Sequence, residues 1–241
     1  MTLPDFFGDE VSVVVKGVFN PALFSPAWLL SQDLIGSSEH SNSQVRVINR
    51  DVAIFKSGWL RCQVTKDGLQ MSTDDFAEFE RVRDAVIGAL RALEHTPIAA
   101  MGLNREIRFS TGSSAKWHAI GDRLAPKKSW EGALRLPGLI NLSMQGARSD
   151  KYDGRIVVQV TPVSQPEWGV LVAVNNHFTL VETARVPSTR DEHLCQPDSQ
   201  LEFSAAKIQI ATKILIDKWS DSLKFAEQMV SDIASLAVGR R

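Results

Sequence analysis

The sequence predicts an α+β protein made of two tandem β-α-β(n)-α halves, 1–96 and 97–241, with antiparallel strands packed on long helices. Three observations predict it. One order of elements occurs twice. A strand-like run ends at Phe19 and Ser25-Pro26-Ala27-Trp28 opens a helical pattern; another run ends at Phe109 and Ser114-Ala115-Lys116-Trp117 opens a second, about 90 residues later. Runs rich in β-branched residues alternate with tight-turn signals. Each half then closes with a long helical pattern.

In the first half, Glu10–Phe19 is a strand, interrupted by Asn20-Pro21. Ser25 as N-cap, Pro26 in the first helical position and Gly36 as the stop define a short helix over 26–35. A polar loop follows at 37–43, then strands at 44–49, 52–57, 59–66 and 69–72, the last two joined by a hairpin at Asp67-Gly68. Asp74 is expected to cap a helix over 75–94, whose apolar stripe runs from Phe76 through Val82 and Val86 to Leu93.

Pro97 resets the chain. Strand 98–109, helix 114–124 and strands 134–146, 154–163 and 169–180 follow, with turns at Asp153-Gly154 and Gln165-Pro166. After a polar loop at 182–200, a helical pattern runs from Ser204 to Val238, and Trp219-Ser220-Asp221 allows a break in it. Unbroken, that helix is about 50 Å long, more than a sheet of this size covers. The stripe beyond Trp219 (Leu223, Phe225, Met229, Val230, Ile233) is therefore expected on another chain, in self-association or a partner contact. The two halves are expected in one compact unit, joined edge to edge into one broad sheet or closed into a barrel-like shape, and in element order this arrangement resembles the helix-grip and TATA-binding-protein-like folds. No motif of either family occurs, so the resemblance implies architecture alone.

Strand alternation separates two faces. Val170, Val172, Val174 and Phe178, with Ile156, Val158 and Val160, point to one side and are expected on the long helix. Asn141, Gln159, Asn175 and His177 point to the other, among further Ser, Thr and Gln residues. That second face is either a solvated sheet surface or a recognition surface, since uncharged hydrogen-bonding groups meet a partner at modest desolvation cost. Arg105 interrupts the inward positions of its strand, which makes it an internal ion pair or part of a pocket.

Net charge is −1, which argues against a generally basic nucleic-acid binder. Positive charge concentrates in the stretch from Arg105 to Arg155, where ten basic residues, Arg108 among them, face five acidic ones. No Walker loop, Gly-x-Gly-x-x-Gly, nucleophile elbow or zincin motif occurs. Thr111-Gly112-Ser113-Ser114 leads into a helix N-terminus able to hold a phosphate, though a serine cap explains it more simply. His193 beside Cys195 lacks the context of a catalytic pair, and His118 with His177 lacks a third metal ligand. No cofactor or metal is expected. The start lacks a signal-peptide pattern and no apolar run is long enough to span a bilayer, so a cytoplasmic protein is expected.

Three functions follow in order of preference. The first is a non-enzymatic binding or scaffold protein in a protein assembly. The second is a small-molecule site or enzyme with a pocket between sheet and long helix, using Arg105, Trp117 and His177. Nucleic-acid binding through 105–155 is third.

Overall fold

Side chains alternate along a strand, so the run Val11-Ser12-Val13-Val14-Val15 sends three valines one way, and all three are buried. That strand, β1 (Phe6–Gly17), lies at the middle of one nine-stranded antiparallel sheet in a computed structural model that describes residues 6–180 and 197–238. The other strands are β2 (Ser43–Ile48), β3 (Val52–Ser57), β4 (Leu60–Thr65), β5 (Gly68–Thr73), β6 (Ile98–Ser110), β7 (Leu142–Ala147), β8 (Gly154–Val163) and β9 (Gly169–Thr179). Their spatial order is β2-β3-β4-β5-β1-β6-β9-β8-β7. The first strand of each half sits at the centre and pairs with its counterpart, from Phe6 opposite Phe109 to Gly17 opposite Ile98. The last strand of each half, β5 or β9, returns to its side.

All helices share one side of the sheet. α1 (Pro26–Ser31), α2 (Ser37–Ser41) and α3 (Phe79–Ala92) belong to the first half, α4 (Ser114–Leu124) and α5 (Pro197–Ser235) to the second. Val82, Val86 and Leu90 of α3 and Ile208, Leu215 and Trp219 of α5 join the valines of β1 in one buried cluster. Ala226, Val230 and Ile233 of α5 join Ile107, Phe109, Val160, Val170, Val172 and Val174 in a second.

Several expected boundaries shift for identifiable reasons. α1 stops at Ser31, five residues before Gly36, with Asp33 turning the chain at φ 56°. Gly36 instead opens α2, in the segment expected to be loop. The helix expected over 75–94 is α-helical only from Phe79, with no side-chain cap; Asp75 accepts from the Ala77 N–H to open a 3-10 turn at Phe76–Glu78, while Asp74 is held by Arg61 at 2.7 Å. The strand expected at 134–146 begins only at Leu142, since Pro137 and Gly138 interrupt any ladder before it. The two tryptophans also differ in register: Ser25 accepts from the Trp28 N–H, whereas Ser113 caps α4 through Lys116 and Trp117 lies one residue further on.

α5 has no break. Nothing between Pro197 and Ser235 is Gly or Pro, and the low helix propensity of Ser220 and Asp221 amounts to only tenths of a kcal/mol each. At 39 residues it extends about 58 Å and crosses both clusters. The overhang expected beyond Trp219 does not occur, because the two halves join into one sheet broad enough to cover it. Val230 and Ile233 are buried within this chain, with Phe225, Met229 and Leu223 packed partly buried beside the clusters. No helix among the described residues is long and apolar enough to cross a membrane.

Candidate functional site

Among the described residues, no element lies over the side of the sheet opposite the helices. Register places on it Ser12, Gln63, Gln70, Ser72, Asn104, Asn175, His177, Gln159 and Thr161, with Ser143 and Gln145 at the β7 edge. The helix-side row of the second half is apolar as expected, while the open face mixes these polar groups with Val14, Val52, Ile54, Val157 and Leu171. At the centre, the Asn104 Nδ2–H donates to Ser12 Oγ at 3.2 Å, while its buried Oδ1 has no partner. Gly102 sits beneath: a Cβ there would touch the side chains of both Asn104 and Asn175. This leaves the middle of the face shallow, with backbone close to its surface.

Charge on this face is unbalanced. Lys16, Lys56, Arg61, Arg108 and Arg155 stand on it with Arg46 of the β2 bulge, against Glu10 and Glu106. Arg61 is held by Asp74 at 2.7 Å and Glu10 at 3.1 Å. Lys16 meets Asp67 at 3.4 Å, and Arg108 meets Glu106 at 3.7 Å. Arg46, Lys56 and Arg155 have no ion pair among the described residues. Over β2–β5 the face dips into a groove of 530 Å³ lined by Gln44, Arg46, Lys56, Gln63 and Ser72. Burial, and then the positive charges of Arg155 and Arg148, push the His177 pKa below the usual imidazole value.

The eight residues expected in a binding site separate into three places. Arg108, Gln159, Asn175 and His177 share the open face, and Asn141 reaches its margin by donating to Thr161 at 3.5 Å. Trp117 and His118 lie on the helix side, edge to face at 5.0 Å between ring centroids. His118 and His177 are thus on opposite sides of the sheet and do not meet. Arg105 is interior. Its guanidinium donates to both Asp9 carboxylate oxygens at 2.9 and 2.7 Å, to Glu227 at 2.9 Å and to the Leu223 carbonyl at 2.9 Å. Of the two roles expected for Arg105 the geometry gives the internal ion pair, since four of its five N–H groups are occupied.

A pocket of 830 Å³ opens beside Trp117, bounded by α4, the 131–139 loop and the β8–β9 floor at Val160 and Val170. It lies under α4 instead of between the sheet and α5, so neither Arg105 nor His177 lines it. The Trp117 indole N–H donates to the Gly169 carbonyl at 2.9 Å and fixes one wall. Two charges of the lining, Lys127 and Asp122, neutralise each other at 2.7 Å. Of the three residues expected at a pocket Trp117 lines this one, and part of the outer wall falls in the segment 134–146 expected as strand.

The basic stretch 105–155 makes no single patch. Arg105 is interior, Arg148 is buried over the Phe178 ring and clamped by Asp150, Lys127 faces the pocket, and Arg108 and Arg155 reach the open face. The thiol of Cys62 is wholly buried, which pushes its pKa up. His193 and Cys195 lie outside the described residues. No family model matches this sequence, and no curated protein matches it either.

Proposed function

We propose that the chain is a non-enzymatic binding protein that works in a protein assembly and holds an acidic protein surface on its open sheet face. One observation carries the reading: a face nine strands wide, with no described element over it, combines uncharged hydrogen-bonding side chains with six basic groups against Glu10 and Glu106 on its strands and Asp67 and Asp74 at its margins. In a chain of net charge −1 that is a segregation of charge, and a face of one sign steers an oppositely charged partner into register.

Nucleic acid fits less well. Single strands on a sheet stack their bases on aromatic rings, and outside the bulge at Phe6–Gly8, where Phe7 is exposed, the paired positions of this face hold no Phe, Tyr or Trp. The second reading, a small-molecule site, is favoured by the 830 Å³ pocket, whose size is that of ordinary ligand clefts. A tandem origin of the halves is supported by the matching return of β5 beside β1 and β9 beside β6. The long helix laid across the sheet supports the helix-grip comparison, and the free, buried Cys62 is in keeping with a cytoplasmic setting.

Affinity purification from the native cell tests the leading reading, using the wild-type chain and a Lys56→Glu/Arg155→Glu variant. The wild type is expected to retain an acidic partner that salt releases. The variant is expected to lose it with unchanged thermal stability, since neither residue has an ion pair among the described residues. A wild type that purifies alone, or a variant that keeps the same partner, overturns the reading.

A further inference from the structure

The two edges of the sheet are built differently. β2 carries a bulge between Val45 and Val47 with Arg46 on it, and α2 leads directly into the strand. A bulge and a charge are what keep an edge from accepting another strand. β7 has neither. Its six residues pair with β8 from Leu142–Val160 to Ala147–Arg155 without a register shift, and no charged residue stands between Arg135 and Arg148. The first cation beyond the strand, Arg148, is turned away and bound in bidentate fashion by Asp150. Met144 on this strand and Ile140 just before it are exposed, as are Leu134 and Leu136 on the preceding loop that borders Val160 of β8, the strand paired with β7.

We infer that β7 is the seam of a homodimer, in which two copies pair their β7 strands antiparallel across a two-fold axis normal to the sheet. Such an axis opposes each residue to one on the same face of the sheet. Centred on Met144, it sets Met144 against Met144, Ser143 against Gln145 and Leu142 against Gly146 of the second copy. Every opposed pair is uncharged, so no like charges meet, which is the condition a self-paired strand must satisfy. Shape agrees at the one place where it is tested: a Cβ on Gly146 would have nothing within 4 Å, leaving room for the Leu142 side chain opposite. On the helix side Leu142 and Met144 prolong the row formed by Val160 and Val158. The exposed Ile140 and Leu136 then supply apolar area at the rim. A strand pair alone buries too little for a stable dimer, so this rim is needed.

The second copy also answers what the overlong helix was expected to explain. Self-association moves from the end of α5, which the chain covers itself, to the opposite edge of the same half.

Light scattering over a concentration series tests the seam through residue 144, which faces its own copy. The wild type is expected at twice the 26.6 kDa chain mass. Met144→Lys and Met144→Glu, at a side chain 61% exposed and so neutral to folding, are each expected at the single-chain mass. Mixed in equal amounts at low salt, Lys opposite Glu is expected to restore the doubled mass. A wild type that stays monomeric at hundreds of micromolar, variants that remain dimeric, or a mixture that does not re-associate would each overturn the inference. Circular dichroism of both variants confirms that mass changes without loss of fold.

Discussion

Replacing Arg105 with methionine removes the group that ties three elements together. β6 supplies the guanidinium, β1 supplies Asp9, and α5 supplies Glu227 and the Leu223 carbonyl. Burial works against the charge, and Asp9 followed by Glu227 more than offsets it, so the guanidinium stays ionised. The side chain is 6% exposed, Asp9 is 21% exposed and Glu227 is 51% exposed. Breaking a buried ion pair from one side costs about 3–5 kcal/mol, most of it from the charge left behind. Here Glu227 rehydrates and Asp9 only in part, which places the loss near the low end, about 3 kcal/mol. In a chain of this size that corresponds to a fall in Tm of about 6–12 °C. Methionine keeps the packing of the stem, so the loss reports the ion pair and not a cavity. Urea unfolding followed by tryptophan fluorescence measures it, and Asp9→Asn in the Arg105→Met background is expected to recover about 1 kcal/mol or more by removing the orphaned charge. A methionine variant within about 0.5 kcal/mol of the wild type, or the absence of coupling to Asp9, would refute the clamp.

Two further perturbations probe the second half. Hydrogen bonding from Arg148, with help from the Tyr152 backbone N–H and Lys218, holds the Asp150 pKa at about 2. A carboxyl depressed in the native state contributes stability above its unfolded pKa of about 3.9, and that stability is lost as pH falls from about 4 to about 2. The loss is about 2 kcal/mol and is expected to be absent from the profile of Asp150→Asn; equal slopes in that window would contradict it. Val230→Asp is expected to abolish cooperative folding, because it puts an unpaired charge in the second cluster, and truncation after Trp219 should do the same. A well-folded Val230→Asp monomer would restore the view of this stripe as a partner surface.

Periodicity made most of the sheet legible. β3, β8 and β9 lie within a residue of where the β-branched runs place them, and α4 matches its expected span, because a half-buried strand and an amphipathic helix write their periods into the chain. What local reasoning missed are properties of pairing across the sheet. Whether β1 and β6 would meet and merge two halves into one sheet has no local signal. That single fact reverses the reading of Leu223–Ile233, from overhang to core. Charge was misread for a related reason. Counting along 105–155 collected groups that the fold sends to three surfaces, while the basic face draws one residue each from β1, β2, β3, β4, β6 and β8. Applying alternation to the first half as well as the second would have found Gln63, Gln70 and Ser72.

The open face and the β7 seam reinforce each other geometrically while resting on different residues. A two-fold axis normal to the sheet leaves the helices of both copies on one side and both open faces on the other. The dimer would therefore present one continuous polar, basic surface across eighteen strands, twice the nine of one chain. A partner with an extended acidic surface would engage both copies, and the second contact would form at a high effective concentration. Because the groups are separate, the two ideas fail separately. The Met144→Lys monomer keeps Arg46, Lys56 and Arg155 and should still bind the partner, more weakly. The Lys56→Glu/Arg155→Glu chain keeps β7 and should still dimerise. A Met144→Lys chain that loses the partner entirely, while remaining folded, would place the binding surface at the seam itself and not on the face.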